Sequence, residues 1–171
     1  MTGDLPAGRS IVLRTDRLTL TTWLPSDLDD LHAMHSDPET MRYVRHGRPD
    51  TFEESAALLE RYLTEQSGRG WSRWRVVDGS GRFVGRAGFG GEEERRELGY
   101  TLAREAWGRG LATEVALALV RWHREHAPRA DLRAYAALEN APSRRVLEKA
   151  GFVEVGSEEY HGMRCGLFRL A

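Results

Sequence analysis

Apolar and polar positions follow two different periods along this chain. Over residues 11–22, "IVLRTDRLTLTT", Leu, Thr and Arg alternate, which predicts a strand. Ser26 suits an N-cap, and Leu28, Leu31 and His35 then share one helical face, so a helix is expected over 26–36. Pro38 disfavours helix at Asp37 and ends it. Residues 37–51 hold charges, Gly47 and two prolines, and read as a mobile connection. The period of 3.6 returns over 52–66, where Ala56, Leu59 and Leu63 form an apolar stripe.

Strand patterns follow. "WSRWRVVD" (71–78) and "RFVGRAGFG" (82–90) flank "GSG" and predict a hairpin, and "RELGYTL" (96–102) alternates in turn. Leu111, Val115, Leu119 and Trp122 place a helix over about 110–127. "DLRAYAAL" (131–138) is a further strand. Residues 140–152 read as a short helix, with Pro142 near its start and Gly151 just past its end. Residues 152–159 and 163–170 form a closing hairpin around "YHGM". The order β-α-α-β-β-β-α-β-α-β-β predicts an α/β (α+β) fold: a mixed, mostly antiparallel sheet flanked by helices.

The chain has 171 residues, enough for one domain with a proper core or two very small ones. Its net charge of -1 argues against nucleic acid and an anionic membrane as partners. No apolar run approaches the roughly 20 residues of a membrane span, and the N-terminus has no apolar signal core. Cys165 is the only cysteine, which excludes an intrachain disulfide and suits a reducing, cytoplasmic setting. His32 with His35 and His123 with His126 are i, i+3 pairs, but no Cys or acidic cluster completes a metal site, so no metal is expected. Trp23, Trp71, Trp74 and Trp122 are read as core or cleft lining.

The stretch "ELGYTLAREAWGRGLATEVALALV" joins strand to helix through Gly108, Arg109, Gly110, Leu111, Ala112 and Thr113. A helix start presents unpaired N–H groups and a partial positive charge, and small residues let an anion approach them. Arg109 can add a charge-assisted hydrogen bond. The sequence is not a P-loop, since "GxxxxGK[ST]" is missing, and "GxGxxG" is incomplete at Thr113. Taken alone, a turn that merely connects strand to helix satisfies the same residues.

"WGRGLA" resembles the acyl-CoA pyrophosphate loop of the GNAT N-acetyltransferase superfamily, usually written [QR]-x-x-G-x-[GA]. Gly110 and Ala112 fill its small positions, and Trp107 departs from its first. "WGRGLATE", "LRTDRLTLTTW", "ELGYTL" and "ENAPSRRVLEKAGF" are similar, in the same order, to the ribosomal-protein N-acetyltransferase (RimJ/RimL-like) branch. The last of these is the most specific. The resemblance spans roughly 11–170 and implies the GNAT fold. It further implies acetyl-CoA as cosubstrate, with its pyrophosphate on the amides of Arg109, Gly110, Leu111, Ala112 and Thr113. The pantetheine arm would run along the strand main chain at Tyr100, Thr101 and Leu102, in the manner of an added strand.

Acetyl transfer to an amine needs a base, a donor to the carbonyl oxygen and a proton for the thiolate. The amine must first lose a proton, which it holds up to about pH 8 for an α-amine and about 10.4 for lysine. Glu97 is the candidate base, directly or through a water; alternatively it is a surface carboxylate paired with Arg95 or Arg96. A backbone amide near Leu98 to Tyr100 would polarise the carbonyl. The resemblance puts Ser143 near the CoA sulfur and Asn140 on the pantetheine or an ordered water. Asn140 also suits an N-cap and Ser143 a first helical turn. Arg145, with Lys149, either reaches the 3′-phosphate or is a solvated helix face. Tyr135 and Tyr160 are aromatic acid candidates better explained by core packing, and Cys165 by burial.

Residues 1–10 are therefore expected to be a flexible lead and 11–171 one N-acetyltransferase domain. The acceptor would be a protein N-terminal α-amine or a small-molecule amine, and a homodimer is compatible. Acceptor choice is expected to lie in residues 37–51 and 156–163. The alternative is a non-catalytic, CoA-binding regulatory protein of the same fold.

Overall fold

The computed structural model describes residues 5–171. Eight strands form one sheet: β1 (Ile11–Arg14), β2 (Leu18–Thr21), β3 (Arg73–Asp78), β4 (Phe83–Gly91), β5 (Arg95–Leu102), β6 (Asp131–Ala137), β7 (Phe152–Tyr160) and β8 (Met163–Leu170). Their spatial order is β1-β2-β3-β4-β5-β6-β8-β7, and every neighbouring pair is antiparallel except β5 with β6. Five helices flank it: α1 (Leu28–His35), α2 (Pro38–Met41), α3 (Phe52–Gly68), α4 (Leu111–His126) and α5 (Ala141–Lys149). The expected mixed, mostly antiparallel sheet with flanking helices is the observed architecture.

Alternation of side chains divides the apolar residues between the two faces of the sheet. On one face, Val76, Ala87, Phe89, Leu98 and Leu132 pack against Leu111, Val115 and Leu119 of α4 and Leu147 of α5. On the other, Trp23 with Leu31, Met34, Leu58, Leu59 and Tyr62 forms a smaller cluster with α1 and α3. That second face carries Arg73, Arg86, Gly88, Gly90, Glu97, Gly99 and Thr101, which sit beside one another in register.

Two expectations need correction. Residues 11–22 are not one strand but the antiparallel pair β1 and β2, broken where Thr15 Oγ1 accepts from the Leu18 amide. Residues 37–51 are not wholly irregular. Asp37 caps α2 by accepting from the Thr40 amide, and Pro38 supplies its first turn, where no backbone donor is needed. Further on, Thr51 and Glu54 form a reciprocal capping box at the start of α3. The closing hairpin turns at His161 (φ 50) and Gly162 (φ 79), the two left-handed positions of a tight two-residue turn.

Of the expected lead, residues 1–4 lie outside the described residues, while Arg9 is tied down. Its guanidinium donates to both oxygens of Asp27, at 3.0 and 2.7 Å, and each side chain is only 5% exposed. Asp27 also accepts from the Leu24 amide and sits 3.3 Å from Arg75. Removing one partner of a buried pair strands the other charge, so Asp27→Ala is expected to destabilise the fold by about 3–5 kcal/mol. Urea unfolding at pH 7 checks this; a loss under 1 kcal/mol would show that the pair is dispensable.

Candidate active site

The parallel pairing of β5 with β6 runs from Arg95↔Asp131 only as far as Leu98↔Ala134. Beyond that rung β6 continues against β8, while β5 continues against β4 up to Gly85↔Leu102. The sheet therefore splays open between β5 and β6. Backbone groups alternate along a strand. The Ala103 amide donates to Val84 of β4, so Tyr100 and Leu102 turn their main-chain groups the other way, into the splay. Leu98 is spent on β6, leaving the Tyr100 amide as the first free donor. Thr101, expected to offer main chain here, does not: its carbonyl faces β4, 2.3 Å from where a Cβ on Gly85 would stand. Trp107, at the atypical first motif position, donates its indole N–H to the Leu102 carbonyl at 2.8 Å and closes the end of this edge.

The splay leads to the start of α4. Side chains cap α2, α3 and α5, but α4 opens on Gly110 at φ 75 with no side-chain acceptor. Among the described residues nothing accepts from the amides of Arg109, Gly110, Leu111, Ala112 and Thr113. Gly108 (φ 71) is open, with no atom within 4 Å of a Cβ placed there. Both glycines hold left-handed conformations that other residues resist. The loop is held from behind: Arg17 donates to the Arg109 carbonyl at 2.7 Å and to Glu114 at 2.7 Å, and Glu114 also accepts from Thr15 and the Arg17 amide. Sequence reading missed this clip, which joins residues almost a hundred positions apart. An array of free amides at a positive helix end, rigidly backed, can take a diphosphate.

Asn140 caps α5, accepting from the Ser143 amide at 3.3 Å. The Ser143 hydroxyl meets the Tyr100 hydroxyl at 2.9 Å, which bridges α5 to the free edge of β5. Burial pushes the Tyr100 phenol up to about 12, so it stays protonated. Arg145 and Lys149 are exposed on α5.

On the opposite face of the sheet, Glu97 borders a cavity of about 280 Å³. It is not paired with Arg95 or Arg96. Tyr160 donates to its Oε2 at 2.8 Å, and Tyr160 in turn stacks on Tyr135 with ring centroids 4.1 Å apart. Tyr160, expected to pack in the core, thus lines the cavity; burial and neighbouring Glu97 push its phenol up to about 12 despite Arg73. Residues from both stretches expected to govern acceptor choice line this cavity, Arg45 and His46 from one and Tyr160 and His161 from the other. A larger cavity, about 510 Å³ between α1, α2 and the start of β4, touches neither Glu97 nor the α4 loop.

The cavity floor is cationic. Arg73 lies across the sheet in a trough left by glycines: a Cβ added at Gly99 would stand 2.7 Å from its Nε, and one at Gly90 3.1 Å from its Nη2. Arg86 donates from Nε to His35 Nε2 at 3.1 Å, and His35 Nδ1 meets Asp50 at 2.8 Å. Accepting at Nε2 fixes the proton on Nδ1. Burial, reinforced by Arg86 and Arg45 against the pull of Asp50, lowers the His35 pKa to about 4. His35 is thus a satisfied core histidine that orients Arg86, and no group that could hold a metal occurs among the described residues. Cys165 is buried as expected.

His35 makes the fold acid-sensitive. It stays neutral when folded but protonates near 6.5 when unfolded, so its contribution is complete above that pH and is lost as pH falls toward 4. His123, also lowered by burial, acts in the same direction. Urea titrations at pH 7 and pH 4.5 should differ by roughly 3 kcal/mol, and His35→Gln should flatten that slope. An unchanged slope in the variant would contradict a buried neutral His35.

Comparison with known proteins bears on the family and the fold. A family model described as an acetyltransferase (GNAT) domain matches residues 17–153. The chain is 26% identical over 149 residues to the uncharacterized N-acetyltransferase YoaA of Bacillus subtilis, covering 85% of this chain and 84% of that protein. It is 30% identical over 149 residues to the uncharacterized N-acetyltransferase p20 of Bacillus licheniformis, covering 84% and 83%. A GNAT-family acetyltransferase structure from Bordetella pertussis superposes with TM-score 0.80 at 26% identity, covering 95% of this chain and 99% of that one. The ribosomal L7/L12 α-N-protein acetyltransferase RimL, solved with coenzyme A, superposes with TM-score 0.80 but at 16% identity, over 94% and 97%, a likeness of fold alone.

Proposed function

The chain belongs to the acetyltransferase (GNAT) domain family, and on that premise we propose that it is an N-acetyltransferase that moves an acetyl group from acetyl-CoA to a primary amine by direct attack in a ternary complex. The acceptor is a protein N-terminal α-amine, as the RimJ/RimL resemblance implies, or a small-molecule amine. Residues 11–171, anchored through Arg9, form the acetyltransferase domain. The observation that carries the reading is the juxtaposition of unsatisfied amides at the start of α4 with the free edge of β5, beside a cavity bordered by Glu97.

Acetyl-CoA supplies an activated thioester. The amides of Arg109 to Thr113 hold its diphosphate, assisted by the Arg109 guanidinium. The Tyr100 carbonyl and the Leu102 amide face the pantetheine arm, Asn140 contacts the same arm, and Arg145 reaches the 3′-phosphate. The Tyr100 amide is the donor to the carbonyl oxygen as charge develops. Glu97, oriented by Tyr160, takes the proton of the acceptor amine. Ser143, hydrogen-bonded to Tyr100, holds a proton near the departing sulfur. Cys165 is buried, and that burial raises its thiol pKa, which supports direct attack over a covalent intermediate.

Initial rates of thiol release, measured while both substrates are varied, test this. Intersecting double-reciprocal lines are expected. Parallel lines would indicate a covalent intermediate, and acetyl-CoA binding without thiol release over a broad amine panel would favour the non-catalytic alternative.

A further inference from the structure

The cavity beside Glu97 contains more positive charge than its own walls neutralise. Arg45 is paired with Asp50 at 2.8 Å and Arg69 with Glu65 at 3.1 Å. Arg73 and Arg86 have no ion pair among the described residues. The Nε of Arg73 is buried without an acceptor. Arg86 is only 4% exposed, and its one hydrogen bond goes to a neutral imidazole. Glu97 and the Tyr160 hydroxyl lie near Arg73 and favour its charge, but neither Arg73 nor Arg86 has a carboxylate at ion-pair distance among the described residues, and holding guanidinium groups this far from water without a close counter-charge is costly. Gly90 and Gly99 provide the room for Arg73, since a Cβ at either would press on its guanidinium. The planar fork of arginine matches a carboxylate or phosphate.

We infer that the acceptor is a small primary amine that also carries an anionic group, such as an amino acid or an aminoalkyl phosphonate. The anion sits on Arg73 and Arg86 while the amine faces Glu97. This rests on the acetyltransferase reading above. The cavity, about 280 Å³, is at the small end for ligand pockets, which favours a small molecule over a protein terminus. A polyamine would bring further positive charge against the arginines. In the transfer, the amide N–C bond forms and the thioester C–S bond breaks. Of the two protons an ammonium acceptor sheds, one leaves through Glu97 to solvent and one ends on the thiol.

Thiol release should be measured with amino acids, their carboxamides, aminoalkyl phosphonates, spermidine and amidated peptides with acidic or neutral first residues. The expected kcat/KM for an anionic amine exceeds that of its carboxamide by about 10- to 100-fold. In Arg73→Gln and Arg86→Gln the preference should fall below about threefold, with acetyl-CoA affinity unchanged and partial recovery in Arg73→Lys. Independently of turnover, succinate or inorganic phosphate should raise the melting temperature of the wild type but not of Arg73→Gln. Should the arginine variants fail to fold, the wild-type panel and the melting shifts decide. Equal rates for acid and carboxamide, a preference for spermidine, turnover of acidic peptides alone, or no melting shift with either anion would each overturn the inference. Fast turnover of neutral amines would do so while leaving the acetyltransferase reading intact. Loss of that reading would show instead as no binding of acetyl-CoA.

Discussion

Glu97→Gln is expected to slow acetyl transfer by about 100- to 10,000-fold at pH 7, the usual contribution of a positioned base, while acetyl-CoA affinity stays within about twofold. The substitution keeps the shape and an acceptor oxygen for Tyr160, so the hydrogen bond across to β7 can persist. What is lost is the capacity to take a proton. The residual rate should therefore rise with pH, as solvent deprotonates the amine in place of the carboxylate. Tyr160→Phe should cost less, about tenfold, because it removes orientation and leaves the carboxylate. Thiol-release assays from pH 6 to 10 check both. A Gln variant with the wild-type rate and profile would remove Glu97 from the chemistry.

Thr113→Glu is expected to separate binding from stability. Thr113 is the third residue of α4, where a glutamate reaches back to the N-cap amide and complements the helix dipole. Stability should therefore hold or rise by about 0.5 kcal/mol. The same carboxylate would occupy an amide proposed above to hold the diphosphate and would repel its charge, so acetyl-CoA should bind about 30- to 1,000-fold more weakly. Calorimetric titration and thermal unfolding of one preparation measure both. Unchanged affinity would mean that the diphosphate sits elsewhere.

Much of the candidate site was legible in the sequence because it depends on local chemistry. Gly108 and Gly110 announce a backbone that only glycine adopts readily, Asn140 and Pro142 announce a helix start, and the alternation around Glu97 announces a strand. The features that escaped depend on register between distant segments. That Thr101 faces β4 and Tyr100 faces the splay follows from which rung of β5 pairs last with β6, a fact absent from either strand alone. The pairing of Tyr160 with Glu97, and the lodging of Arg73 over Gly99, join residues 63 and 26 positions apart. Tyr160 read as core because aromatic residues usually are, while its phenol has a carboxylate to serve. His35 showed its place on a helix face but not its task, because Arg86 arrives from another element. The break at 15–17 went unseen because "TDR" interrupts an alternating run without glycine or proline to mark the turn.

The bare amides at the start of α4 are proposed to receive the diphosphate of acetyl-CoA. Titrating isotope-labelled protein with acetyl-CoA, while following each backbone amide by NMR, reads this contact amide by amide. Large, saturable shifts are expected at Arg109, Gly110, Leu111, Ala112 and Thr113, with smaller ones at Tyr100 and Leu102 along the free edge of β5. Binding that leaves those amides unmoved, or no binding at millimolar acetyl-CoA, would contradict this contact.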